Sequence, residues 1–84
     1  MMELRFHYEN LSKHGVTPEE VEECFSDPQR LNRRISAMYW LIAKTEAGRL
    51  LQIGYRTEED KSYFVFHAMA ACEYEHRQYK SRGK

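Results

Sequence analysis

Arg49-Leu50-Leu51-Gln52-Ile53-Gly54-Tyr55-Arg56 places Leu51, Ile53 and Tyr55 at alternate positions, with Gln52, Gly54 and Arg56 between them. Side chains along a strand point to opposite sides in turn, so this stretch reads as a strand with one core-facing side. Just before it, Glu46-Ala47-Gly48 reads as a hairpin turn. That turn implies a partner strand within residues 34–45, around Met38-Tyr39-Trp40-Leu41-Ile42-Ala43. Downstream, residues 57–61 form a polar turn, and residues 62–69 a third strand rich in aromatic and branched side chains. A further short strand near residues 29–33 is an open option.

Working outward toward the N-terminus, Val16-Thr17-Pro18-Glu19-Glu20-Val21 carries a helix start. Thr17 caps the unpaired amides, Pro18 takes the first helical position, and Glu20 completes a capping box. Val16 and Val21 have the spacing of a hydrophobic staple, and the acidic first turn suits the helix dipole. Val21, Cys24 and Phe25 make a narrow apolar stripe, and Ser26-Asp27-Pro28 ends the helix. Before it, residues 2–7 read as a first strand and residues 8–14 as a short helical segment stopped at Gly15. At the other end, residues 71–80 read as a helix supported by Glu73 and Arg77, with Cys72, His76 and Tyr79 near one face. The basic tail Lys80-Ser81-Arg82-Gly83-Lys84 is expected to fray. The expected class is α+β: a mainly antiparallel sheet of three or four strands with helices packed on one face.

A chain of 84 residues supports one domain with a thin core, which a partner can stabilise by binding the folded form. There is no apolar run long enough for a membrane span and no leader-like segment, so a cytoplasmic protein is expected. The two cysteines, Cys24 and Cys72, lack CxxC spacing and are expected to be buried free thiols, with one structural bridge as the alternative. The formal net charge is zero, but its distribution is uneven. Residues 17–27 carry Glu19, Glu20, Glu22, Glu23 and Asp27 with no cation, whereas residues 30–56 carry Arg30, Arg33, Arg34, Lys44, Arg49 and Arg56 against Glu46. This split can give a neutral molecule a basic surface, or merely solvated faces.

Asn10-Leu11-Ser12-Lys13-His14-Gly15-Val16, followed by the acidic helix and by Phe25-Ser26-Asp27-Pro28, resembles the BrnT-type toxins. The likeness continues through Leu41-Ile42-Ala43-Lys44, Gly48-Arg49-Leu50-Leu51, and Glu75 with Tyr79 in the last helix, and so covers roughly residues 10–79. It implies a compact RelE-like fold and a metal-independent RNA endonuclease with no cofactor. It also implies a toxin–antitoxin pair: the partners are an RNA substrate and a cognate DNA-binding antitoxin, with a homodimer as a further option. The sequence departs from the family pattern at Met69, where the family has Arg, at Ala43, where it has Gly, and in lacking a Trp-Asp/Glu pair before Asn10. These departures motivate the alternative of a catalytically inactive RNA- or protein-binding module on the same fold.

Metal-free RNA cleavage needs a base for the ribose 2′-hydroxyl, an acid for the leaving oxygen and cations for the phosphate. His67 is the first candidate, since imidazole titrates near neutral pH. By strict alternation it shares a face with Tyr63, Val65 and Met69, and the competing role is a structural histidine bonded to a backbone carbonyl. Lys44 and Arg56, on neighbouring strands, are read either as a phosphate clamp or, equally, as solvated strand-face cations. Tyr79 is read as acid or hydrogen-bond donor, and otherwise as a ring packed on the sheet. Lys13, Arg34, Arg49 and Arg77 are read as nucleic-acid-binding cations. His14 is expected to cap carbonyls at a helix end, while Trp40 and Tyr39 serve either the core or base stacking. The histidines His7, His14, His67 and His76 show no metal-ligand spacing.

Overall fold

A computed structural model describes residues 3–82, with Arg82 described through its backbone only. Met2 of the expected first strand and Gly83 and Lys84 of the expected frayed tail lie outside the described residues. The elements are β1 (Leu4–Phe6), α1 (Tyr8–Lys13), α2 (Pro18–Phe25), β2 (Leu31–Ile35), β3 (Met38–Lys44), β4 (Leu50–Thr57), β5 (Tyr63–Ala70) and α3 (Glu73–Arg82).

The expected start of α2 is present in full. Thr17 accepts from the Glu20 amide at 3.2 Å, and the Thr17 amide donates to the Glu20 carboxylate at 3.0 Å. Gly15 stops the preceding segment at φ +67°, a conformation that costs glycine little. Val16, Val21 and Cys24 are buried, and Ser26 caps the C-terminal end. In the β3–β4 hairpin, Gly48 takes φ +89° and its amide donates to Thr45 O at 2.9 Å.

The sheet has five strands in the order β1-β5-β4-β3-β2, not three or four. The strands from β2 to β5 pair antiparallel, and β1 runs parallel to β5 through Leu4↔Tyr63 and Phe6↔Val65. The extra strand is β2, an edge whose residues are exposed apart from the half-buried Leu31. Because its neighbours cover so little of it, its sequence lacks the apolar alternation that announces an inner strand.

The helices occupy both faces of the sheet, which corrects the one-face expectation. Leu41, Ala43, Leu51, Ile53, Tyr55, Val65 and Ala68 form a core with Leu11 of α1 and Val21 and Cys24 of α2. Phe25 of α2 closes this layer edge-on to Tyr55, with ring centres 5.0 Å apart. The opposite face carries Trp40, Ile42 and Lys44 of β3 beside Gly54, Gln52 and Leu50 of β4. There α3 packs, with Glu75 bonded to Gln52 and the Tyr79 ring beneath the Lys44 ammonium. Of the two cysteines, Cys24 is buried as expected and Cys72 is exposed. Burial, then the nearby Asp27 charge, push the Cys24 thiol up to about 12, so it acts as a small apolar residue.

Candidate active site

The register between β4 and β5 slips by one residue: Tyr55 faces Val65, but Gly54 faces His67, leaving Phe66 as an extra residue. A bulge of this kind re-aims the side chains that follow it. His67 therefore leaves the side of Val65 and Tyr63 and stands with Gln52 and Trp40 on the α3 face. Strict alternation put His67 with Tyr63 and Val65, and the bulge is the reason that phase fails. Met69, paired with Gln52, does share the face of His67.

Gly54 makes room for this arrangement. A β-carbon there would lie 2.8 Å from Trp40 Cζ3 and 3.1 Å from the Phe66 ring. The two aromatic rings thus rest on bare backbone, edge to face with centres 5.9 Å apart. Trp40 also meets His67 edge-on at 5.7 Å.

A polar chain backs His67. Its Nε2 lies 2.9 Å from Gln52 Oε1. The Gln52 amide nitrogen donates to Glu75 Oε2, and Glu75 Oε1 accepts the Cys72 amide at 2.8 Å. Glu75, buried on the sheet side of α3, offers only acceptors as a carboxylate, so the Gln52 NH₂ must face it. Gln52 Oε1 then accepts from His67, which assigns the proton of the neutral ring to Nε2 and leaves Nδ1 as the acceptor.

His14, the C-cap of α1, brings a second imidazole. Its ring centre is 5.9 Å from that of His67, at an interplanar angle of 65°. Asn10 holds α1 in place by donating from Nδ2 to Phe66 O at 2.8 Å, on the bulge itself. Burial first, and the adjacent His14 second, push the His67 imidazole below its ordinary value of 6.5, while Glu75 draws it partly back. At neutral pH His67 is therefore a neutral base whose Nδ1 has no partner among the described residues, next to an exposed second imidazole.

The other expected site residues are dispersed. Lys13 is exposed beside His14. Arg56 shares the His67 face, two positions from Gly54 along β4, and lies over the Phe64 ring at 4.8 Å with Glu58 3.5 Å away. Lys44 and Arg56 do not form a clamp. Lys44 pairs with Leu50, six positions from Arg56, which is roughly 20 Å at the rise of a strand.

Lys44 and Tyr79 instead surround Asp27. The Tyr79 hydroxyl donates to Asp27 Oδ2 at 2.5 Å, and the Lys44 amide donates to the same oxygen at 2.9 Å. Partial burial pushes the Asp27 carboxyl up, but the hydrogen bonds from Tyr79, Lys44 and Gln29 outweigh it and hold it below the ordinary value. Glu19, Glu22, Glu23 and Glu46 line the same cleft. Five carboxylates against Lys44 make a poor seat for a phosphate.

Arg49 is a structural staple, its Nη1 donating to Gly15 O at 3.0 Å and to Glu20 Oε2 at 3.2 Å. Arg34 folds back on Ser36 O and the Tyr39 ring. Arg77 is exposed on α3, 3.7 Å from Glu73.

Gln52 was not singled out from sequence, and neither was the pairing of His14 with His67. A glycine inside an otherwise regular strand was the available signal, since such a glycine marks a bulge or a close approach. No model of a known protein family matches the chain, and no curated protein matches it either.

Proposed function

We propose that the chain is a metal-independent endoribonuclease of the BrnT type, RelE-like in fold and held inactive by a cognate DNA-binding antitoxin. The observation that carries the enzymatic part is the His14–His67 pair, with His67 oriented through Gln52 by Glu75. In this reading His67 Nδ1 takes the proton of a ribose 2′-hydroxyl, and the freed oxygen attacks the adjacent phosphorus. His14 delivers a proton to the departing 5′-oxygen, leaving a 2′,3′-cyclic phosphate and a 5′-hydroxyl. Arg56 and Lys13 supply positive charge near the phosphate, and Trp40 offers a ring to a neighbouring base.

The test is cleavage of single-stranded RNA by the purified chain, with end-group analysis of the fragments. Cyclic-phosphate ends that vanish in His67→Ala support the reading. Intact RNA after prolonged incubation with the unmodified chain overturns it. The alternative of a non-catalytic binding module is favoured by Met69, where the family has an arginine, and by the engagement of Lys44 with Asp27 and Tyr79. RNA retained on the chain without any cleavage would select it.

A further inference from the structure

β2 is an edge strand: among the described residues its one neighbour in the sheet is β3, and the main-chain groups along its outer side pair with no described strand. In an antiparallel pair alternate residues turn their N–H and C=O away from the neighbour, ready to accept another strand. α3 overhangs this edge on the His67 face. Between them runs a groove of about 460 Å³ lined by Leu31, Arg33, Tyr74, Arg77, Gln78 and Ser81. Tyr74 is 60% exposed and Ile35, on the same side of β2, is 51% exposed. A second hollow of about 370 Å³, lined by Pro28, Arg30, Leu31 and Asn32, lies at the start of the strand.

The geometry points to a binding site for an extended acidic segment of a partner protein. It adds as a strand on β2 and drops every second side chain into the groove beneath α3. An edge strand flanked by a helix fits this mode of recognition, in which main-chain hydrogen bonds give affinity and alternate pockets give selectivity.

Charge selects the occupant. Arg33 and Arg77 line the groove and Arg30 the second hollow, and Arg33 forms no ion pair with any described residue. A second copy of this chain fits poorly. Antiparallel pairing of two β2 strands about their central residue sets Arg33 against Arg33, a shift of one residue sets Arg33 against Arg34 or Asn32, and every such pairing gathers both copies' arginines along one seam. A nucleic acid would satisfy the arginines but offers no main-chain partner for the strand and no apolar side chain for Leu31 and Tyr74. The inference stands apart from RNA cleavage, since its readout is binding.

The experiment uses the full chain, isotopically labelled, titrated with a blocked hexapeptide alternating valine and glutamate. Amide shifts confined to β2 and α3 are expected, with hydrogen-exchange protection appearing along β2. N-methylation of alternate peptide amides should abolish binding in one phase and spare it in the other. Arg33→Glu combined with Arg77→Glu should weaken binding by about tenfold or more, and the amide spectrum of the double variant checks that it remains folded. Three results overturn the proposal. One is no change at β2 with the peptide in large excess. Another is equal binding by the lysine counterpart of the peptide or by both N-methylated forms. The third is movement of the β2 amides on dilution or with a single-stranded oligonucleotide but not with the peptide, which assigns the edge to a second copy or to nucleic acid.

Discussion

His14 and His67 stand with ring centres 5.9 Å apart, although one closes α1 and the other lies beyond a bulge in β5. Charge on His14 disfavours charge on His67, and it is the second cause, after burial, that holds the His67 imidazole below its ordinary value.

The first prediction concerns that coupling. Burial is the larger cause of the lowered His67 pKa and His14 the smaller. His14→Gln should therefore raise the His67 value while leaving it below 6.5, as followed by the ring C–H resonances through a pH titration. The folded chain holds this proton less tightly than the unfolded one, so His67 makes folding less favourable as pH falls from 6.5 through its folded value. His67→Gln should flatten that part of the stability curve. A His67 pKa at or above the ordinary value in the unmodified chain would contradict the account.

Gln52 offers a second prediction, separating position from catalysis. Gln52→Leu removes the acceptor of His67 Nε2–H and a donor to the buried Glu75 together. Leaving such groups unpaired should cost about 1–3 kcal/mol, read from urea unfolding. The nitrogen shifts of His67 should then show a mixture of tautomers. Gln52→Glu, which places a second carboxylate against Glu75, should cost at least as much at neutral pH and recover on mild acidification.

The third prediction tests the bare floor under the rings. Gly54→Ala puts a β-carbon 2.8 Å from Trp40 Cζ3 and 3.1 Å from Phe66. Overpacking of this kind costs about 1–3 kcal/mol. Because both rings border His67, tryptophan emission and the His67 resonances should shift in the same variant. An unchanged emission spectrum with undiminished stability would show that Trp40 is free to move aside.

Parts of this architecture could be read before any coordinates, for reasons tied to particular residues. The capping box of Thr17 and Glu20 is local, needing only the residues within one turn. The alternation of Leu51, Ile53 and Tyr55 is visible because β4 is an inner strand with one fully buried side. The parallel pairing of Leu4 with Tyr63 joins the first strand to the last, and no local pattern encodes it. The phase of His67 was lost because one extra residue reverses everything that follows, and periodicity carries no mark of an insertion. Arg49 looked like a nucleic-acid contact because a sequence lists charges without their partners, and Gly15 O and Glu20 came from a separate loop and helix. The separation of Lys44 from Arg56 was legible too: the turn at 46–48 sets Lys44 beside it and Arg56 at the far end of the next strand.

The last prediction turns on Asp27, which ties three elements together. It follows α2, accepts the Tyr79 hydroxyl from α3, and receives the Lys44 amide at the end of β3. Its carboxyl is held below the ordinary 3.8, so the folded chain resists protonating it. Its contribution to stability is fully present above the unfolded value and is lost as pH falls through the lower, folded one. Asp27→Asn should thus destabilise the chain by about 1–2 kcal/mol at neutral pH, and the gap from the unmodified chain should close in strong acid. Tyr79→Phe removes the first of the hydrogen bonds that favour the charged carboxylate, so the acid limb of the stability curve should move upward in pH. It should also free the C-terminal end of α3, seen as faster amide exchange there than in the unmodified chain. If Asp27→Asn costs the same at every pH, the carboxylate acts through packing alone, and the link between α2 and α3 is not electrostatic.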